Sequence, residues 1–415
     1  MERENLFLIL TILLMLIIAI YEAVSLGKKN AIFGSYYDIY KFDGGADQEE
    51  MVIDGITLPP ILEYKSALKI AMIKALNGIV NASKNEQSIK MSRDFGRYYD
   101  KGFSRFMFAL NTHGKLSKNL VPKEYPVDME DMEYFMNTYG MSSYADKFRR
   151  YPLPYWPKFN SLGPKVIARF EGNDTMINSI TSQTLPITPI QYNRLKSIYS
   201  GPPELFDNMA YTVLYVYHSL GGLGNNGSVP IGLIDDSYIE LFGSPLNTQQ
   251  RYCSPFFFEK TYFNSLGSFY DYHLVKNQKY TCNPPYIDSL MTEAARRVTS
   301  QMKEHGPGSN ISVLVVIPIW DAQGLGEIGE PKKDDDPNKN AKYPSKEIIE
   351  SSGLVRAKKS LHKNDHKYYS WYGNKLVAYS HTYLYVLSTE EVPGIDLNEI
   401  IARWDTLISV FEPVI

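Results

Sequence analysis

Cysteine is almost missing from this chain: Cys253 and Cys282 are the only two. That excludes a disulfide framework, and without a CxxC pair or a Cys/His cluster there is no zinc signature. A reducing compartment is the expectation. Charge of one sign is not in excess either, with 43 Lys and Arg against 46 Asp and Glu for a net −3. No global basic field therefore draws the chain to nucleic acid, and any such affinity has to be local. The glycine-rich run at 221–227 follows a helical pattern instead of a strand and lacks the P-loop lysine. Neither a dinucleotide nor a Walker fingerprint is met, which leaves a loop. Long apolar runs are absent with one exception, at the N-terminus.

Residues 6–26 are apolar apart from Thr11, Glu22 and Ser25, about the 20 residues needed to cross a bilayer. Lys28 and Lys29 follow, whereas Glu2, Arg3 and Glu4 precede. The positive-inside rule then predicts a single-pass anchor within residues 1–29, with the body of the chain facing the cytosol. A cleaved signal peptide is the competing reading, through the small residues of Ala23-Val24-Ser25, but the leading segment is not basic. A buried core helix is the third.

Residues 30–60 show no period and read as a juxtamembrane linker. Leu68, Met72, Leu76 and Ile79 keep helical spacing, and with a second helical stretch at 103–110 they predict a mainly helical accessory domain over 61–200. The proline- and aromatic-rich 151–157 reads as a rigid crossover that buries Trp156. From 201 to 415 the pattern turns α/β: a helix at 204–220, strands at 238–242, 280–282 and 311–317, and closing strands at 376–378 and 383–387. The third strand is almost continuously apolar and β-branched, as a central parallel strand should be. Three of these strands run into chemically specific loops: 243–247, 283–286 and 318–320. In an open α/β sheet such loops meet at the carboxyl edge, where ligands bind.

The most specific of the three is Asn283-Pro284-Pro285-Tyr286. The prolines fix φ and remove N–H donors, so a backbone carbonyl is presented at a set angle beside the asparagine amide. Two acceptors placed this way hold both hydrogens of one planar NH2 group and leave its lone pair toward an electrophile. The tyrosine ring gives a stacking face worth roughly 1–3 kcal/mol to a flipped base. The chemistry implied is N-methylation from S-adenosylmethionine. A bare turn with a packed aromatic is the bland alternative.

With these residues in view, the second half of the chain resembles the phosphorylated-CTD-interacting-factor family of cap-specific adenosine N6-methyltransferases. The likeness rests on Phe242-Gly243-Ser244-Pro245-Leu246-Asn247, Tyr252-Cys253-Ser254, Gly267 with Asp271-Tyr272, the segment 283–286, Ile317-Pro318 with Trp320, and a last strand at 381–387. It implies a Rossmann-like methyltransferase domain that methylates N6 of the adenosine beside an m7G cap on mRNA. Asn283 and Pro284 would hold the amine, with Pro285 completing the turn and Tyr286 stacking on adenine. Ser244, Pro245 and Asn247 would border S-adenosylmethionine, and Asp271 its ribose. The family usually carries Phe where Tyr286 stands, and no WW module is read here.

Arg356, Lys358, Lys359, Lys363 and Lys367, with His362 and His366, form the densest basic cluster, just ahead of Tyr368 and Tyr369. They are the candidates for RNA phosphate and base contact, a solvated surface being the alternative. The polar stretch 329–345 reads as a mobile loop. An anchored cap methyltransferase facing the cytosol suits a system that makes or packages mRNA there, as a large DNA virus does in its factories and virions. Two further readings stay open: a methyltransferase-like RNA-binding or virion structural protein without catalysis, and an N-methyltransferase acting on DNA adenine or cytosine or on protein glutamine.

Overall fold

The computed structural model describes residues 58–59, 61–83, 86–91, 95, 165–221, 227–230, 232–248, 251–329, 344–370, 375–378 and 380–411. The expected membrane span, most of the linker, the helical stretch at 103–110, the crossover at 151–157 and the loop at 330–343 lie outside them. Among the described residues no helix is long and apolar enough to cross a membrane. In chain order the first elements are α1 (Ile61–Ser83), β1 (Ala168–Phe170), β2 (Thr175–Asn178), β3 (Thr184–Pro186), α2 (Pro189–Ile198) and α3 (Phe206–Gly221). Then come β4 (Gly227–Ser228), β5 (Tyr238–Glu240), β6 (Arg251–Tyr252), α4 (Phe257–Tyr262), β7 (Lys279–Cys282), α5 (Asp288–His305) and β8 (Ser312–Pro318). The chain closes with α6 (Ala322–Glu327), α7 (Pro344–Glu350), β9 (Val355–Leu361), β10 (Tyr368–Ser370), β11 (Lys375–Val377), β12 (Thr382–Ser388) and α8 (Leu397–Phe411).

A six-stranded sheet in the order β6-β5-β7-β8-β12-β9 organises the second half. The first four strands are parallel, and β12 runs antiparallel to both β8 and β9. Strand alternation explains why it is covered on both faces. Val313, Val315 and Ile317 of β8 and Tyr383, Tyr385 and Leu387 of β12 meet Met291, Ala294 and Val298 of α5. Leu314, Val316, Leu384 and Val386 point the other way, toward Ile400 and Trp404 of α8.

Two expectations change. Residues 375–377 do not close this sheet: β11 pairs with β10, which pairs with β4, in a separate three-stranded sheet. The sixth strand is instead β9, whose Lys- and Arg-bearing sequence conceals it because an edge strand keeps one side wet. The stretch read as mainly helical also contains the antiparallel meander β1-β2-β3, with reversals at Asp174 and Ser182, both at positive φ. Its Met176 and Leu185 share one core with Leu68 and Met72 of α1, Leu195 of α2, Val213 and Val216 of α3, and Leu246 beyond β5. The described residues all belong to one compact unit, Ile53–Ile415.

Candidate functional site at the carboxyl edge of the sheet

Because β5, β7 and β8 are parallel, their following loops share one edge with the start of β12 and the end of β9. The chain leaves β5 for β6 on one side and returns to β7 on the other, so strand order reverses between β5 and β7. That reversal opens the crevice in which open α/β sheets bind ligands.

On the β5 side, Gly243 follows the strand where a side chain has no room: a Cβ would lie 2.9 Å from the Tyr252 Cβ and 3.0 Å from Glu240 Oε2. Ser244 then starts a tight turn. Its N–H and hydroxyl both donate to Asn247 Oδ1, at 2.9 and 3.0 Å, and its carbonyl accepts from the Asn247 and Thr248 amides. Asn247 thus spends its side-chain carbonyl on the turn, while Ser244 and Leu246 are buried. Asp271 is exposed at the end of a single 3-10 turn, Phe269–Asp271. Its neighbour Tyr270 reaches inward: its ring is 6.0 Å from that of Phe242, and its hydroxyl donates to the Leu290 carbonyl at 3.3 Å.

Beneath this turn lies a set of buried charges. Glu240 is 7% exposed, and burial pushes its carboxyl up to about 7 against the opposing pull of Thr248 and Arg194. Glu259 is fully buried and pushed up to about 8 by burial, although Ser254, Tyr217 and the Phe256 amide favour its ionised form. Burial lowers Arg194 in turn, and its Nη2 has no partner among the described residues. A glutamate inside the apolar run 238–242 was the one sign of this cluster in the sequence. Arg194 and Glu259 come from distant segments and gave none.

On the β7 side, Asn283 Oδ1 is buried and accepts no hydrogen bond from any described residue. The Pro285 carbonyl accepts from the Ile287 amide at 2.7 Å, which turns the chain into α5, whereas no described residue donates to the carbonyl of Pro284. Two acceptors are therefore open at consecutive residues of the turn. Tyr286 is held edge-on by Trp320 and Tyr368, ring centroids 6.4 and 6.2 Å away at 85° and 87°. Beyond β8, Asp321 caps α6 through the Gly324 amide at 2.7 Å and pairs with Lys346 at 3.2 Å. Burial alone would raise the Asp321 carboxyl, but the Gly324 amide and Lys346 hold it below the usual range.

The basic cluster does not form one surface. On β9 successive side chains take opposite faces. Lys358 lies over the Tyr383 ring at 4.6 Å and pairs with Glu350 at 3.0 Å and Glu327 at 3.6 Å. Arg356 donates to the carbonyls of Glu390 and Gly353. Lys359 and Lys363 are exposed, and Lys367 is half-buried where its carbonyl accepts from Trp404 Nε1. His366, Tyr368 and Tyr369 are 1–2% exposed, so they are core, not base-stacking surface. Both cysteines are free and buried.

A mixed α/β sheet with the buried, unpaired Asn283 Oδ1 in the loop beside its strand reversal has the arrangement in which open sheets bind ligands at a topological switch point. Residues 203–330 match the family described as Phosphorylated CTD interacting factor 1 WW domain, which supports kinship with that family over this stretch. The matched stretch runs from the approach to α3 to the end of α6 and carries all four parallel strands and residues 283–286. No curated protein matches the chain.

Proposed function

We propose that the chain is an S-adenosylmethionine-dependent N-methyltransferase whose acceptor is N6 of the adenosine next to the m7G cap of mRNA. The observation that carries this reading is the buried, unpaired Asn283 Oδ1 beside the open Pro284 carbonyl. A buried acceptor without a donor costs about 1–3 kcal/mol, so its retention at a crevice asks for a ligand donor. One planar NH2 group satisfies both acceptors at once.

The residues fit the cofactor. Arg194, with a buried unpaired Nη2, and Glu240 match the carboxylate and ammonium of its amino-acid part. When bound, S-adenosylmethionine supplies an activated methyl group, so the protein's share is binding and orientation. Asn283 and Pro284 take the two amine hydrogens, which leaves the nitrogen lone pair unengaged, and Tyr286 orients the base. The matched family and the resemblance across 242–320 favour capped mRNA over DNA or protein as the source of that amine. The Rossmann-like reading of the sheet belongs to the same proposal, and its strand order with a reversed β12 supports it.

The apolar run at 6–26 adds a single-pass anchor with the site facing the cytosol, in a viral factory or virion as one setting. Release of the full chain from membranes by alkaline carbonate would remove that part. For the reaction, the full chain is given methyl-labelled S-adenosylmethionine with capped and uncapped RNAs that begin with adenosine. Label on N6 of the capped first adenosine is expected. Equal labelling of uncapped RNA or of DNA would remove the cap from the proposal. No transfer, together with no cofactor binding by calorimetry, would overturn it in favour of a non-catalytic RNA-binding or structural protein.

A further inference from the structure

A stacking face needs only a ring, yet this chain carries a hydroxyl on it and gives that hydroxyl a partner. Tyr286 Oη donates to Tyr368 Oη at 2.6 Å, Tyr368 Oη lies 2.6 Å from Thr382 Oγ1, and Thr382 Oγ1 lies 2.7 Å from His366 Nε2. The other ring nitrogen, His366 Nδ1, is 2.7 Å from the His362 carbonyl. A carbonyl has no proton to give, so Nδ1 carries one, and in a neutral imidazole Nε2 must then accept. Neutrality agrees with the burial of His366, which is 1% exposed. From that end the protons run one way, Thr382 to His366, Tyr368 to Thr382 and Tyr286 to Tyr368, with the Ser380 carbonyl at 3.3 Å a longer second acceptor for the Thr382 hydroxyl.

We propose that Tyr368 and Thr382 are positioning residues, which set the ring of Tyr286 for the acceptor base through this one-way chain of hydroxyls ending on His366. The inference rests on the function proposed above for residues 283–286. The chain ties three separate segments together: the turn after β7, strand β10 of the smaller sheet, and the start of β12. Trp320 and Tyr368 confine the ring plane from two edges, and the hydrogen bond removes the remaining freedom of the ring along its axis. Thr382 is anchored in turn by pairing with Pro318 on one side and Leu361 on the other.

Tyr368→Phe takes away the acceptor that holds the Tyr286 proton at 2.6 Å and leaves only the Ser380 and Thr382 hydroxyls near it. In the full-length chain kcat is expected to fall about tenfold with cofactor affinity unchanged, since sub-ångström misplacement of a reacting group is costly. The second change Tyr286→Phe should bring kcat back to within about threefold, because it removes the donor whose partner is gone. Thr382→Val should act in the same direction. A purely structural role would lower the melting temperature without this rescue. A crystal structure of the Tyr368→Phe protein gives the answer independently of turnover, through a displaced Tyr286 ring. An unmoved ring, or a kcat within twofold of the parent, would overturn the proposal. Absence of transfer in the parent chain would instead count against the reaction.

Discussion

Asn283→Ala is expected to lower kcat/KM for methyl transfer by at least about 100-fold while leaving the fold as stable as before or more so. The loss follows from removing one of two acceptors that orient the amine; deletion of a single preorganised polar contact of this kind costs about 10²–10³ in turnover. The stability follows from the state of the same atom in the folded chain, where Oδ1 is buried and unpaired. Truncation deletes a polar atom that loses its hydration on folding and gains no partner, a penalty of about 1–3 kcal/mol. Activity and stability should therefore move apart, as they do where a site is kept at the expense of the fold. Turnover and urea unfolding of the two proteins check it. A variant that loses several kcal/mol of stability would mean that Asn283 is a structural residue.

The second large effect is a loss of stability with rising pH, carried by Glu240 and Glu259. Both are held above the ordinary carboxylate value of 4.5, at about 7 and about 8, chiefly by burial. Between 4.5 and those values the folded chain keeps protons that the unfolded chain releases. Stability from both groups is thus complete below pH 4.5 and is lost as pH rises through 7 and 8. The shift of Glu259 corresponds to about 5 kcal/mol and that of Glu240 to about 3 kcal/mol. His366 works in the opposite sense: burial lowers it from 6.5 to about 4. Its contribution, about 3 kcal/mol, is present above pH 6.5 and lost as pH falls toward 4. Together the three groups put the stability maximum near pH 4.5, with a decline toward pH 8.5. Glu259→Gln, which imitates the protonated acid, should remove the larger part of that decline in denaturant melts at pH 5.5 and 8.5. An equal decline in variant and parent would refute this assignment.

Much of the site could be read from local chemistry. The apolar, β-branched run at 311–317 specifies a central strand whatever its partners, and it became β8. A proline pair behind an asparagine restricts its own backbone, so the turn at 283–286 was recognisable from four residues.

What tertiary packing alone decided is everything that depends on which distant side chains meet. VRAKKSL at 355–361 reads as a basic patch until β12 pairs with it and alternation sends Lys358 and Lys359 to opposite faces. Tyr368 and His366 look like surface aromatics beside lysines until Trp404 of α8 closes over them, at 5.8 and 5.4 Å. Arg194, Glu240 and Glu259 are ordinary charged residues in sequence; the burial of the two glutamates and the nearness of half-buried Arg194 to Glu240 exist only because α2, β5 and α4 are packed together. Periodicity and proline chemistry act over a few residues and are written into the chain directly. Desolvation and hydrogen-bond direction are properties of an environment, and the environment forms only when segments tens of residues apart are packed together.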